Sequence, residues 1–373
     1  MVHTPQSNII KVAVAQIEPE WLDLQASVKK ACLVITEAAT NGASLVAFSE
    51  AHIPGYPLWI LKDLMNAEKH VAYIKNSLII DSPEMRTIQQ CAANNKIVVV
   101  LGFSENDHHS LFISQAIIDI DGKIRVKRRK LKATHFERAV FGDASGNSLV
   151  NVATTSLGRR VGVLACWEHC QPLLKYHTAT QREEIHCPGW PPLYPHQDQG
   201  LYSMAMEGKT FVLHLMAPLA FQGGLLMAQA YAIESQTFVL HATSVVSEKG
   251  LKKLGLDPET TTFKVGGRHS TVIGPDGRIL SKPLDPNTEE LVYANLDMDD
   301  ILLARAFLDI CGHYSRPDLL WLGCNISGRK HKLDSNEELL TAIRNEEPFE
   351  LSLLHSPCAI YKGESKVLIV IIK

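Results

Sequence analysis

Long apolar runs are missing from this 373-residue chain. The longest, Phe211 to Phe221, is broken by His214 and Pro218 and falls short of the ~20 residues that a membrane-crossing helix needs, so no membrane is expected as a partner. Cysteine is sparse, with eight in the whole chain, and the opening MVHTPQSN lacks the charged-then-apolar pattern of a secretion leader. Both features point away from a secreted disulfide framework and toward reduced thiols in the cytoplasm. Net charge is also slight, −3 overall, which removes any global attraction to nucleic acid or to anionic lipid. The one basic cluster, KIRVKRRKLK from Lys123 to Lys132, follows a strand turn and reads as part of the fold rather than as a localisation signal. No low-complexity tract or Pro/Ser-rich linker divides the chain. What remains is ordinary globular material, 46% hydrophobic and 21% charged, enough for one elaborate core or two smaller ones.

Strand-like and helix-like segments alternate, which predicts an α/β architecture. Strands are expected at Val12 to Gln16, Leu45 to Phe48, Ile97 to Gly102, Ser114 to Asp119, Val161 to Ala165, Phe238 to Thr243 and Thr271 to Ile273. Helices are expected at Gln25 to Asn41, Pro83 to Asn94, His169 to Tyr176 and Leu226 to Ser235. IIDIDGKI and TVIGPDGRIL each read as a strand, an Asp-Gly turn and a returning strand. TFVLH occurs twice, at Thr210 to His214 and at Thr237 to His241, a repetition that two buried strands of like composition produce by chance.

Within RVGVLACWEH, a β-branched apolar run ends on Cys166, followed by residues that read as the first turn of a helix. A thiol at the carboxyl end of a buried strand sits where α/β folds open their crevices, and free N–H groups of a helix start favour the thiolate. Taken alone, that setting suits a small buried hydrophobe better than a nucleophile. A zinc cluster of Cys166, His169, Cys170, His186 and Cys187 matches no standard ligand spacing, so neither metal nor other cofactor is expected. Three further segments bear on the question. LVAFSEAHIPGYP ends an apolar strand on Glu50 beside a rigid Pro-Gly loop; RRKLKATHFERAVFGD carries Lys130, Lys132, His135 and Glu137 next to Phe136 and Phe141; IHCPGWPPLYP is a Pro-rich aromatic loop. Rigid aromatic and proline residues suit a small organic ligand.

The segments AFSEAHIPGYP, RRKLKATHFERAVFGD and GVLACWEH resemble, in order, the three motifs of the nitrilase branch of the nitrilase superfamily. IKVAVAQIEPEWLDL, AQAYAIESQTFVL and GGRHSTVIGPDG are similar to the same family, so that the likeness spans roughly residues 9 to 318. The resemblance implies a Glu-Lys-Cys triad with Glu50 as general base, Lys130 as the cation near the reacting carbon and Cys166 as nucleophile. The lysine directly after the paired arginines is the family's catalytic one, which points to Lys130 rather than Lys132. Glu137 matches an additional glutamate of the family. The implied fold is an α-β-β-α sandwich, four layers per subunit, and the implied assembly is a homodimer that builds larger homo-oligomers or spirals. On this reading residues 1–318 form the carbon–nitrogen hydrolase domain, and 319–373 are an extension available for assembly.

The expected reaction is attack of the Cys166 thiolate on a nitrile carbon, giving a thioimidate, then a thioester, then acid and ammonia. Tyr56, Phe136, Phe141, Trp167 and Trp190 are the candidates to line an apolar pocket, which favours an aryl or arylaliphatic nitrile. Alternatives remain: a cyanide hydratase or similar enzyme that releases the amide, an amidase of the same superfamily, or an inactive assembly subunit. Three departures from the usual motifs stand out. Ser49 and Ala133 occupy positions where proline is common, and Glu207 to Met227 reads as extra sequence before a helix.

Overall fold

Strand β1 (Ile9–Gln16) shows how the layers arise. Its Val12 and Val14 face one cluster of buried residues while Ala13 and Ala15 face another, the period-two alternation of a strand buried on both sides. The computed structural model describes residues 8–192, 221–259, 265–267, 270–285 and 287–328. The first TFVLH copy and residues 207–220 of the extra stretch lie outside them. Two sheets result. The first has the order β11-β1-β2-β3-β4-β5, with β2 (Leu45–Ala47), β3 (Val98–Asp107), β4 (Ser110–Ile118), β5 (Ile124–Arg129) and β11 (Glu290–Asp297). The second has the order β10-β9-β8-β7-β6, with β6 (Val152–Thr154), β7 (Arg160–Ala165), β8 (Ile185–Gly189), β9 (Phe238–His241) and β10 (Thr271–Ile273).

Between the sheets, Val12, Leu45 and Val98 meet Val161, Ile185 and Phe238. Helices α1 (Leu24–Thr40) and α3 (Pro83–Asn95) cover the outer face of the first sheet, setting Val28, Ile35 and Ile88 against Val46 and Val99. Helices α4 (Pro172–Thr180) and α5 (Phe221–Ser235) cover the second, with Leu174, Ala228 and Ala232 against Leu164 and Val239. The layers therefore run helix, sheet, sheet, helix, the expected sandwich. Among the described residues three further helices occur: α2 (Ala67–Asn76), α6 (Glu248–Lys253) and α7 (Asp299–Phe307). Among the described residues no helix is long and apolar enough to cross a membrane.

Several expectations need correction. The helix expected at His169 to Tyr176 is split into a 3-10 turn, Cys166–Cys170, and α4. Pro172, which has no N–H to give to the preceding turn, sits where a new helix starts. IIDIDGKI forms the β4–β5 hairpin, but TVIGPDGRIL turns back through only one bridge, Ile273 to Ile279. The last residues of the extra stretch, from 221 to 227, are the first turns of α5 itself rather than sequence ahead of it.

Candidate active site

Glu50 follows β2 at the rim of the first sheet, and its neighbourhood is unusually tight. A Cβ at Gly102 on β3 would run into the Ser49 carbonyl, so glycine there lets the β2 end pack close. The Ser49 hydroxyl shares a 2.6 Å hydrogen bond with Ser244, a use that proline at this position would not allow. Ala51, next in the chain, has φ 47°, a left-handed conformation that costs energy in a residue with a Cβ. The loop beyond it is pinned at Gly55, φ 99°, where a side chain would collide with the Trp21 ring.

Lys130 follows the edge strand β5, its N–H held by the Ile113 carbonyl at 2.7 Å. Its ammonium donates to Glu137 at 2.8 Å and to Glu50 at 3.2 Å. Glu137 is held in turn by a capping box: its Oε2 accepts the Thr134 N–H at 2.7 Å, and its Oε1 accepts the Tyr56 hydroxyl at 2.8 Å. Lys132 is elsewhere, exposed and paired with Asp143. Cys166 leaves β7 with φ 48°, so the strained turn that ends the strand is the thiol's own residue. Ligand atoms of Glu50, Glu137 and Cys166 all lie within 4.8 Å of one another. This is the one such group found among the described residues, and the Lys130 ammonium already supplies the cation that its carboxylates hold. The ligand atoms of the five residues of the hypothetical zinc set do not converge on one point. His169 bonds His186, Cys170 bonds Met227, and Cys187 lies in the core between the sheets.

All four side chains of the cluster are buried, at 1–2% exposure. Burial pushes Glu50 up to about 8, against the pull of Lys130 and with the added push of Glu137. Burial also drives the Cys166 thiol well up, although Lys130 opposes it. Burial alone would lower Lys130, but Glu137 and Glu50 outweigh it and hold the ammonium charged. One ammonium thus faces two carboxyl groups, and protonation of Glu50 lowers the negative charge packed beside it. Glu50 Oε2 has no hydrogen-bond partner among the described residues. A buried carboxyl oxygen left unpaired beside a thiol is free to exchange a proton with it. The helix start expected after Cys166 is a 3-10 turn; its Trp167 N–H favours the thiolate as expected, but burial outweighs it.

The aromatic candidates divide. Trp167 and Trp190 pack with Cys166 and Met227, their rings 6.2 Å apart and edge to face. Tyr56 and Phe141 are buried in a different cluster, against which Phe136 packs. Tyr56 reaches the site through Glu137, whereas Phe141 is a core residue in edge contact with Tyr73 at 6.0 Å. Sequence reasoning missed the part that joins the motifs. Arg128 grips Glu168 through two 2.7 Å bonds, and Glu168 also accepts the N–H groups of Leu131 and Ala165 at 2.8 Å. The signal was present as an acid inside CWEH and an arginine before Lys130, but nothing local pairs them.

The sequence profile of the carbon–nitrogen hydrolase family matches residues 11–306. An arylacetonitrilase of Aspergillus kawachii is 53% identical over 326 residues, covering 87% of this chain and 94% of that protein. An arylacetonitrilase of Aspergillus niger is 51% identical over 339 residues, covering 91% and 98%. In fold, the chain is similar to Saccharomyces cerevisiae Nit3, a member of branch 10 of the nitrilase superfamily, with a TM-score of 0.59 at 18% identity, covering 82% of this chain and 96% of that one. The likeness to Nit3 speaks for the sandwich alone, while the profile and the two fungal relatives carry the assignment: the chain belongs to the carbon–nitrogen hydrolase family, within the nitrilase superfamily.

Proposed function

We propose that this enzyme is a nitrilase that hydrolyses arylacetonitriles to the carboxylic acid and ammonia, with Cys166 as nucleophile, Glu50 as general base and acid, Lys130 as the cation, and Glu137 holding Lys130. The carrying observation is the unpaired Glu50 Oε2 in the same buried cluster as the Cys166 sulfur and the Lys130 ammonium. The arylacetonitrilases at about half identity over nearly their whole length support the substrate class, as do Trp167 and Trp190 beside the thiol. An aryl group gains more from an apolar wall than cyanide does.

As the sulfur–carbon bond forms, the thiol proton passes to Glu50 and one C≡N electron pair moves to nitrogen, which takes the proton back to give a thioimidate. Glu50 next deprotonates a water that adds to this carbon, and the tetrahedral adduct expels ammonia, leaving a thioester. A second water, activated in the same way, releases the acid and restores the thiol. Lys130 and the Trp167 N–H lower the energy of the charged adducts. The same proposal includes homodimers that extend into larger spirals in the cytoplasm. Leu302, Leu303 and Phe307 on α7, 66%, 74% and 88% exposed, supply an apolar surface for association.

The test is incubation of the purified protein with phenylacetonitrile, an aliphatic dinitrile, cyanide and an amide, with acid, amide and ammonia quantified. Acid and ammonia from phenylacetonitrile are expected, together with a trapped adduct at Cys166 and loss of turnover in Cys166→Ala. Amide as the main product would assign a hydratase, turnover of the amide alone an amidase, and assembly without any turnover an inactive subunit.

A further inference from the structure

Behind the turn that carries Cys166 lies a chain of buried polar groups that the steps above leave unused. His169 Nδ1 is 2.6 Å from the Cys166 carbonyl oxygen. Its other ring nitrogen, Nε2, is 3.0 Å from His186 Nε2. His186 Nδ1 is 2.8 Å from Glu183 Oε2, and the Tyr231 hydroxyl donates to Glu183 Oε1. None of the four side chains is more than 2% exposed. The rings are clamped: His186 stacks on Tyr231 at 4.0 Å and His169 on Trp190 at 5.4 Å. Room for the carboxylate comes from Gly162 in the middle of β7, where a Cβ would collide with Glu183 Oε2.

Counting hydrogens defines the state of the chain. A carbonyl oxygen only accepts, so His169 Nδ1 must carry a hydrogen. The contact between the two Nε2 atoms needs one hydrogen, and so does the contact between His186 and Glu183, because lone pairs facing one another without water are costly. Two neutral imidazoles supply one hydrogen each. The third is therefore shared along Glu183 and His186, as carboxylate with imidazolium or as carboxylic acid with imidazole. Net charge is zero in either form, which suits full burial. Burial, with the adjacent His186, keeps the His169 ring itself well below its ordinary basicity, so it relays polarisation rather than holding the charge.

The Cys166 carbonyl and the Trp167 N–H are opposite ends of one peptide group. Drawing electron density onto that oxygen makes the N–H a stronger donor, and the Trp167 N–H favours the anionic form of the adjacent Cys166 sulfur. We propose that the Tyr231, Glu183, His186 and His169 chain polarises the Cys166–Trp167 peptide, so that the Trp167 N–H better stabilises the anion formed when Cys166 adds to its substrate. His169 is then a positioning residue that acts through the backbone. The inference rests on the nitrilase reading for the nature of the adduct, but not for the polarisation.

Cys166–Trp167 is the one Cys–Trp bond in the sequence, so labelling with carbonyl-13C cysteine and 15N tryptophan yields a single correlation for this peptide. Two variants cut the chain with little change in shape. His169→Asn keeps a donor to the carbonyl but severs it from His186, and Glu183→Gln removes the shared proton's acceptor. Both are expected to move the Cys166 carbon and Trp167 nitrogen resonances upfield in protein whose circular dichroism is native. With phenylacetonitrile, kcat is expected to fall about tenfold, part of the ~100- to 1,000-fold that loss of a whole oxyanion donor costs, while KM holds within about twofold. Affinity for phenylacetaldehyde, which adds to the thiol as a tetrahedral adduct, falls by the same factor. Unmoved resonances, or a raised KM with kcat intact, overturn the proposal. If the wild-type protein turns over no nitrile, the nitrilase reading fails by itself and the resonances still decide the chain.

Discussion

Glu50 combines two demands that oppose each other. Its carboxyl is buried where charge is disfavoured, yet in the role proposed for it as base it must ionise to take a proton, and a value pushed up to about 8 by burial meets both demands near neutrality. The acid limb of kcat/KM is therefore expected near pH 8, activity rising with pH as Glu50 ionises, and Glu50→Gln is expected to abolish both limb and turnover. Stability runs the other way. The folded value lies above the ordinary 4.5, so between about 4.5 and about 8 the folded protein keeps a proton that the unfolded chain releases, and stability falls as pH rises through that window. Glu50→Gln should melt higher than wild type at pH 9, with the gap closing by pH 4. Equal melting temperatures at pH 9 in a scan of both proteins would remove the buried charge from the account.

The basic run on β5 changes meaning once its neighbours are known. Each of its basic side chains from Lys123 to Lys132 has an acidic partner, so the cluster is a seam rather than a positive surface. Arg128 and Glu168, 1% and 4% exposed, are a fully buried pair and tie the lysine motif to the cysteine turn. Removing one partner of a buried pair strands the other, so Glu168→Ala is expected to cost about 3–5 kcal/mol by denaturant unfolding. Arg128→Lys should also lose stability, since an ammonium cannot reproduce the two-pronged bond. Full retention of the unfolding midpoint in both would make the pair incidental. The turn between β7 and α4 teaches a related lesson. Its apolar spacing reads as a continuous helix, and Pro172 interrupts it because the residue lacks an N–H.

At the scale of the whole molecule, α7 and the described residues after it carry uncovered apolar side chains, with Leu303 and Phe307 on α7 and Leu320 and Trp321 further on. If this surface serves association, Leu303→Glu combined with Phe307→Glu should shrink the particle measured by light scattering while the far-UV spectrum is kept. An unchanged particle would place the interface elsewhere. The sandwich itself was legible in the sequence, because strands buried on both faces and helices buried on one leave their own periodicities, visible at Val12 to Gln16 and at Gln25 to Asn41. The partly exposed edge strand β11 and the short helix α6 left weaker patterns and were not read. That Glu50, Lys130 and Cys166 belong to one candidate site was legible too, since each sits in a motif whose local spacing survives without the fold, and the structure gathers them in one cluster. Only the tertiary structure separated Trp167 and Trp190, which pack on the thiol, from Phe141, which belongs to the core. It alone joined Arg128 to Glu168 and ran the histidine chain to the back of Cys166. The physical reason is that burial and hydrogen bonding depend on partners brought together by packing, 40 residues apart for the ion pair and 48 for Tyr231 with Glu183, and no periodicity along the chain encodes them.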